Sequence, residues 1–241
     1  MPISSRANSA RNASQVRAMF GAIARRYDFL NHLLSFNIDK RWRRFTVKKI
    51  VERLGRRDFS VVDLACGTGD LTLALRAATA GRVVGMDFCH PMLVVGKQKL
   101  AHKQLPTCLL SEADALRLPL RDGSFEAVSI AFGFRNFEDY DAGLREMLRI
   151  LRKDGVAAIL EFSRPQAPVF RQLYHFYFTR ILPRIGDRLS GVPGPYAYLP
   201  DSVGAFPSQE ELKRQMEAVG FRDVQYYNLN GGIAALHLGT K

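Results

Sequence analysis

Short apolar runs alternate with amphipathic helical stretches from residue 60 onward, and this order limits the folds open to the chain. Helical patterns at 71–78, 91–103 and 140–152 separate most of the apolar runs. Strands that alternate with helices in this way form a parallel sheet with helices on both faces. The predicted strands are residues 60–66, 82–87, 107–113, 127–132 and 156–162.

The C-terminal end follows a different pattern. Two further strand-like runs, 224–229 and 234–239, flank the sequence Asn230-Gly231-Gly232, which is typical of a hairpin turn. We therefore predict an α/β fold with a mostly parallel sheet of seven strands, closed by an antiparallel C-terminal hairpin. An insertion rich in aromatic residues and Arg, at about 163–206, is expected to cover the substrate.

The first 57 residues carry most of the net positive charge. They hold 14 of the 35 Lys and Arg residues but only 3 of the 23 acidic residues, in a chain with a net charge of +12. We predict a disordered tail at 1–13, a basic helical cap at 14–57 and one domain at 58–241. A basic segment of this kind attracts nucleic acid or an anionic lipid surface, although a solvated face is an equal alternative.

Composition excludes several other classes of protein. Hydrophobic residues make up 47% and charged residues 24%, which are ordinary values for a globular chain and exclude a disordered one. No apolar run reaches the roughly 18–20 residues of a membrane-spanning helix. The three cysteines form no C-x-x-C pair and the five histidines have no metal-ligand spacing, so we predict no metal site.

The most informative motif is the turn after the first predicted strand, DLACGTGD at 63–70. Gly67 and Gly69 allow the backbone to turn tightly and to approach a ligand closely. Asp87 ends the next predicted strand about 20 residues later, where a carboxylate binds ribose hydroxyls in adenosine-binding βαβ units. An ordinary tight turn is the alternative interpretation.

Acidic residues around this turn indicate which adenosine ligand it binds. A dinucleotide site needs a third glycine, whereas Thr72 stands there and Asp70 at the helix start repels a diphosphate. Asp63 and Asp70 suit a cationic ligand without phosphate, and S-adenosyl-L-methionine has that character. Asp114 is a further candidate for binding the adenine edge, with a helix cap as its alternative. Phe88 is a candidate for packing against the base, with a core position as its alternative.

Several longer segments resemble one family of class I S-adenosylmethionine-dependent methyltransferases, the enzymes of demethylmenaquinone and ubiquinone biosynthesis that C-methylate polyprenyl quinols. The resemblance implies a Rossmann-like methyltransferase fold and places cofactor contacts on Thr68, Asp87 and the pair Asp114-Ala115. The family often has Asn at the position of Asp114 and Ser at that of Ala131. The matching segments are residues 19–45, 61–72, 131–165, 196–207 and 228–241.

This resemblance implies methylation of a quinol ring. The first candidate reaction converts demethylmenaquinol to menaquinol, and the ubiquinone-pathway benzoquinol is a further candidate substrate. The reduced ring is the expected acceptor because a phenolate has nucleophilic ring carbons, whereas a quinone is electrophilic. Arg135 is the candidate for stabilising an oxyanion and Asn136 for hydrogen bonding a ring oxygen. A salt bridge from Arg135 to Glu138 or Asp139 is the structural alternative.

A polyprenyl substrate lies in a bilayer, so the enzyme must reach a membrane surface. Tyr27 and Tyr196 are expected to line the quinol pocket, and residues 169–189 mix aromatic residues with Arg as an interfacial helix does. We expect a cytoplasmic enzyme that binds peripherally to the anionic inner face of the membrane. A homo-oligomer or a biosynthetic complex stays open.

The same residues are compatible with two other functions. The first is a methyltransferase for another small molecule or for RNA, but no RNA-binding module is recognisable, so we expect no nucleic-acid partner. The second is a non-catalytic membrane- or nucleic-acid-binding protein that keeps the fold. The intact glycine turn and Asp87 argue against this second alternative.

Overall fold

The computed structural model describes residues 13–103, 108–165, 172, 176–181, 184, 186, 188 and 198–241. The predicted tail lies outside these residues except for its last position, as do Tyr196, much of the insertion at 163–206 and most of the segment 169–189. The roles assigned to those parts of the chain stay predictions.

Seven strands form one mixed sheet, and their bounds are β1 (Val61–Leu64), β2 (Val83–Asp87), β3 (Cys108–Glu112), β4 (Phe125–Ala131), β5 (Leu151–Phe162), β6 (Arg222–Leu229) and β7 (Ala234–Thr240). Their spatial order is β3-β2-β1-β4-β5-β7-β6. Strands β1 to β5 pair in parallel, whereas β7 is antiparallel to both β5 and β6. The predicted mostly parallel sheet with an antiparallel C-terminal hairpin is confirmed.

The described residues form seven α-helices, which are α1 (Ala13–Leu34), α2 (Ile38–Leu54), α3 (Asp70–Ala78), α4 (His90–His102), α5 (Tyr140–Ile150), α6 (Tyr198–Ala205) and α7 (Gln209–Val219). Sequence periodicity did not predict α7. The signal for it is a capping box, in which the side chains of Ser208 and Glu211 each accept a hydrogen bond from the other residue's backbone N–H.

Helices cover both faces of the sheet, as the alternation of strands and helices predicted. Successive residues of a strand point to opposite faces of the sheet. Ile130 of β4 points to one face, where it packs in a core with Met147 of α5. On the other face, Val61 packs in a second core with Trp42 and Ile50 of α2. Helix α2, which lies in the basic N-terminal segment, is therefore part of the same core as the sheet.

Among the residues that the structure describes, no helix combines the length and the apolar character that crossing a bilayer requires.

Candidate active site

The carboxyl ends of the parallel strands meet at one edge of the sheet, and the glycine turn lies there. Gly67 and Gly69 have φ angles of +57° and +85°, in the left-handed region that glycine enters without steric cost. The backbone N–H of Gly67 donates to Asp87 Oδ2 at 2.8 Å, and that of Cys89 donates to Oδ1 at 2.7 Å. Both oxygens of the predicted ribose-binding carboxylate are therefore fixed beside the turn.

Asp87 also keeps capacity to bind a ligand. The residue is buried, and burial raises the pKa of its carboxyl above the ordinary value, while the two backbone N–H groups partly offset that effect. A carboxylate offers about four acceptor positions, and the backbone uses two of them. Asp87 can therefore accept two further hydrogen bonds from ligand hydroxyls.

A cavity of about 650 Å³, here called the main cavity, opens beside Asp87 between α1 and the strand ends. Its volume lies within the range of about 300–1,000 Å³ that is usual for small-molecule sites. Much of its wall is apolar and includes Phe20, Met92, Phe132 and Phe137. The predicted site residues that line it are Tyr27, Gly67, Asp87, Phe88, Asp114, Ala115 and Asn136.

A smaller space of about 30 Å³, here called the inner recess, adjoins the main cavity. The two share four lining residues, which are Tyr27, Ala65, Gly67 and Ala131. The predicted residues Asp63 and Thr68 line the recess rather than the main cavity. Asp63 accepts hydrogen bonds from Thr72 Oγ1 at 2.6 Å and from Ser129 Oγ at 2.9 Å. Burial raises the pKa of Asp63 to about 7.

Ion pairs join the N-terminal helices to the glycine turn. Lys99 Nζ on α4 lies 2.7 Å from Asp28 Oδ2 on α1 and 2.5 Å from Asp70 Oδ1 on α3. Thr68 of the turn donates its hydroxyl proton to Asp28. Burial alone raises the pKa of Asp70, but Arg43 and Lys99 outweigh burial and lower that pKa below its ordinary value. The cap is thus bound to the turn by charge as well as by packing.

His32, Asp39 and Asp70 bring ligand-type atoms within 4.8 Å of one another. Nδ1 of His32 lies 2.7 Å from Asp39 Oδ2, and Nε2 lies 3.4 Å from Asp70 Oδ2. Arg43 Nη1 bonds to the same Asp39 oxygen and lies 4.0 Å from Asp70 Oδ2. Because Arg43 pairs with Asp39 and Lys99 pairs with Asp70, the cluster is a salt-bridge network, and we assign no metal to it.

Arg135 is buried at the short helical turn Phe134–Asn136, behind the wall of the main cavity. Its Nη1 donates to Glu161 Oε1 at 2.8 Å and to the carbonyl oxygen of Phe132. Its backbone N–H donates to Glu161 Oε2 at 3.2 Å. Glu161, at the end of β5, is thus a salt-bridge partner of Arg135 that the structural alternative, with Glu138 or Asp139, did not include. Asn136, the next residue, reaches the cavity itself.

Sequence reasoning missed Arg43, Lys99 and Glu161. Arg43 belongs to a run of basic residues at 40–49, for which the sequence predicts surface charge, yet its side chain is only 11% exposed. Asp39, four residues earlier, gives a helical salt-bridge spacing, and Trp42 beside it is buried. This combination was the available signal that one member of the run faces inward.

Comparison with known proteins identifies the family. The model of the ubiE/COQ5 methyltransferase family matches residues 7–241. The "Ubiquinone/menaquinone biosynthesis C-methyltransferase UbiE" of Citrifermentans bemidjiense is 49% identical over 231 residues, which cover 94% of this chain and 96% of that protein. The "Demethylmenaquinone methyltransferase" of Thermus thermophilus is 49% identical over 224 residues, which cover 92% of this chain and 100% of that protein.

Solved structures agree on the architecture. A SAM-dependent methyltransferase from Aquifex aeolicus has a TM-score of 0.59 at 17% identity, covering 80% of this chain and 88% of its own. The [4+2]-cyclase SpnF has a TM-score of 0.61 at 15% identity, covering 82% and 80%. Likeness at these identities shows the Rossmann-like fold alone, and a fold does not determine a reaction. The family match does identify the chain, which belongs to the ubiE/COQ5 methyltransferase family, as its motifs predicted.

Proposed function

We propose that this chain transfers the methyl group of S-adenosyl-L-methionine to a ring carbon of a reduced polyprenyl quinol, demethylmenaquinol in the first place. The observation that carries the proposal is the pairing of a fixed carboxylate, Asp87, with a largely apolar cavity on the same strand edge. Two relatives at 49% identity bear names for quinone-pathway C-methylation, which supports the choice of acceptor.

The residues present fit this methyl donor. When bound, S-adenosyl-L-methionine supplies an electrophilic methyl group on a positively charged sulfur. Asp87 offers its free acceptor positions to the ribose hydroxyls, and Phe88 and Asp114 line the part of the cavity next to it. Gly67, without a side chain, leaves the backbone open to close approach by the ligand. Acidic groups around the turn favour a cationic ligand over a diphosphate.

The residues near Arg135 suit a quinol acceptor. Asn136 and Tyr27 line the main cavity and can hydrogen-bond a ring oxygen. The Arg135 guanidinium, held by Glu161 behind the wall, contributes a fixed positive charge that stabilises a phenolate. Arg135 is a poor proton acceptor because its pKa exceeds about 12. The ring proton that leaves after methylation is therefore expected to pass to water.

The exposed hydrophobic residues support peripheral membrane binding. Phe29 and Leu33 lie one turn apart on the last part of α1, and Phe36 lies in the turn that follows the helix. Tyr177, next to Phe176, donates its hydroxyl proton to the carbonyl oxygen of Leu34 at 2.9 Å. Lys40 and Arg41 are exposed at the start of α2, within about two helical turns of Phe36. Aromatic side chains next to basic ones suit an anionic lipid surface. Among described residues, four of the six exposed large hydrophobics lie here: Phe29 (63%), Leu33 (44%), Phe36 (73%) and Phe176 (57%).

Vesicle sedimentation tests the membrane proposal. We expect binding to vesicles that contain anionic lipid, and a loss of about 10-fold for the double variant Phe29→Ser/Phe36→Ser. Val94→Ser is the matched control, because Val94 is 41% exposed on α4, outside this patch. Equal binding of all three proteins, or no binding at low salt, would contradict the proposal.

Methyl transfer from a labelled donor tests the proposed reaction. The acceptors are short-chain demethylmenaquinone and its benzoquinone counterpart, each reduced or oxidised, together with tRNA. We expect label in the reduced naphthoquinol and none in tRNA. Equal labelling of the oxidised quinone would refute the nucleophilic-ring mechanism, and labelling of tRNA alone would identify a different methyltransferase.

A further inference from the structure

We propose that Arg43 binds the carboxylate at the amino-acid end of the methyl donor, inside the inner recess. The inference rests on the proposed function, since it assumes that an S-adenosyl donor occupies the main cavity. It assigns a binding role to a residue of the N-terminal cap, whereas the motif residues all belong to the sheet edge.

The sizes of the two spaces decide which end of the donor enters which space. The recess of about 30 Å³ holds on the order of two water-sized groups, far too little for a purine. Of these two spaces, the main cavity, where Asp87 lies, is therefore the one with room for the adenosine. Because both spaces share Gly67 and Tyr27, a chain that leaves the ribose past the glycine turn reaches the recess.

Arg43 is the cationic side chain among the described residues that line the recess. Its guanidinium lies over the Phe132 ring, with Cζ 5.4 Å from the ring centroid, and its Nη1 bonds to Asp39. These two contacts hold the guanidinium in one orientation. Toward the described residues, the Arg43 guanidinium donates hydrogen bonds through Nη1 alone. Its Nε and Nη2 can therefore donate to a carboxylate.

The neighbouring charges favour one orientation of a zwitterion. Asp63 lines the recess with Arg43 and supplies an acceptor for an ammonium group. Lys99 is not a competing carboxylate ligand, because its Nζ already donates to Asp28, Asp70 and Thr68 at 2.7, 2.5 and 3.3 Å. An ammonium group has three donors, and all three are used. The carboxylate of the donor is therefore left to Arg43.

Calorimetric titration with two probes tests this assignment. The probes are S-adenosylhomocysteine and its decarboxylated analogue, which differ only in the carboxylate. We expect the wild-type chain to prefer the carboxylate-bearing probe by about 10- to 100-fold, the range for a charge-assisted hydrogen-bonded pair. Arg43→Met is expected to lose most of that preference while binding the decarboxylated probe within about threefold of wild type.

Two further variants keep the test decisive. Arg43→Lys retains the charge without the planar fork, so it is expected to keep part of the preference. Arg44→Met removes an exposed Arg from the same helix and is expected to keep all of it. Because both probes are titrated into the same preparation, a loss of folded protein lowers the binding stoichiometry for both and leaves their ratio of affinities unchanged.

The outcomes separate this inference from the proposed function. Wild-type preference that persists in Arg43→Met would overturn the role of Arg43 while leaving donor binding intact. Equal affinity of the wild-type chain for both probes would do the same. Binding of neither probe by folded wild-type protein would overturn the proposed function itself.

Discussion

In the proposed complex, the main cavity and the inner recess bind the two ends of the methyl donor through different kinds of interaction. The main cavity is large and mostly apolar, and its polar anchor is a carboxylate held by backbone N–H groups. The recess is small, and the charged side chains of Arg43 on α2, Asp63 on β1 and Asp70 on α3 line it. Shape and burial select the aromatic parts of the ligands, whereas paired charges orient the zwitterionic end. A substitution in one of the two spaces should therefore weaken the interactions with the ligand part bound there and leave the interactions in the other space unchanged.

The largest effect is expected from the buried pair behind the main cavity. Glu161→Gln removes the negative charge that pairs with the buried Arg135 guanidinium, so the free energy of unfolding should fall by about 3 kcal/mol. Urea unfolding followed by circular dichroism measures the change. Asp154→Asn is the control, because it breaks an exposed pair with Arg222 and should cost less than about 0.5 kcal/mol. Equal stability of the two variants would show that Glu161 does not stabilise Arg135.

The next largest effect concerns the anchor of the main cavity. Asp87→Asn replaces a charged acceptor that two backbone N–H groups hold in place, so affinity for the methyl donor should fall about 100-fold. Glu210→Gln, an exposed acid on α7 outside the main cavity, is the control and should change affinity by about threefold at most. Calorimetry supplies both values. A similar loss in the two variants would contradict a specific role for Asp87.

A smaller effect is expected where the cap meets the glycine turn. Lys99→Met removes the cation that joins Asp28 to Asp70, and stability should fall by about 1–2 kcal/mol since the side chain is partly exposed. Lys97→Met changes an exposed Lys of the same helix and should be close to neutral. Thermal unfolding compares them. Identical melting curves would mean that packing alone holds the cap.

The smallest effect concerns the pH dependence of stability. Burial raises the pKa of Asp63 to about 7 in the folded chain, above the ordinary value of 3.8 that applies when the chain unfolds. The folded state therefore binds the proton more tightly, and the stability that this proton confers is lost as pH rises through 7. Between pH 6 and pH 7 the loss is about 1 kcal/mol. Asp63→Asn should lack this component, and parallel stability–pH curves for the two proteins would contradict the assignment.

The fold was predictable because its signals are local in the chain. The strand runs, the turn at 63–70 and the hairpin at Asn230 each occupy a few consecutive residues, and the structure confirms the sheet that they predict. Asp87 followed from the same logic, since it ends a strand one βαβ unit after the turn. Its role in binding remains a prediction.

The charged network was not predictable because its members meet only in three dimensions. Asp28, Asp70 and Lys99 lie on three different helices, 29 to 71 residues apart in contacting pairs. Among the basic residues at 40–49, the spacing from Asp39 is the one local sign that distinguishes Arg43, which lines the recess, from Arg44, which is exposed. Likewise, nothing near Arg135 in the chain indicates Glu161, which lies 26 residues later on the adjacent strand.

The most direct test is an experimental structure of the chain with S-adenosylhomocysteine bound. The predicted result places the ribose hydroxyls within hydrogen-bond distance of Asp87 and the amino-acid carboxylate against the Arg43 guanidinium. A ligand that lies outside the main cavity, or one whose adenosine and amino-acid ends are reversed, would contradict the division of the site into these two spaces.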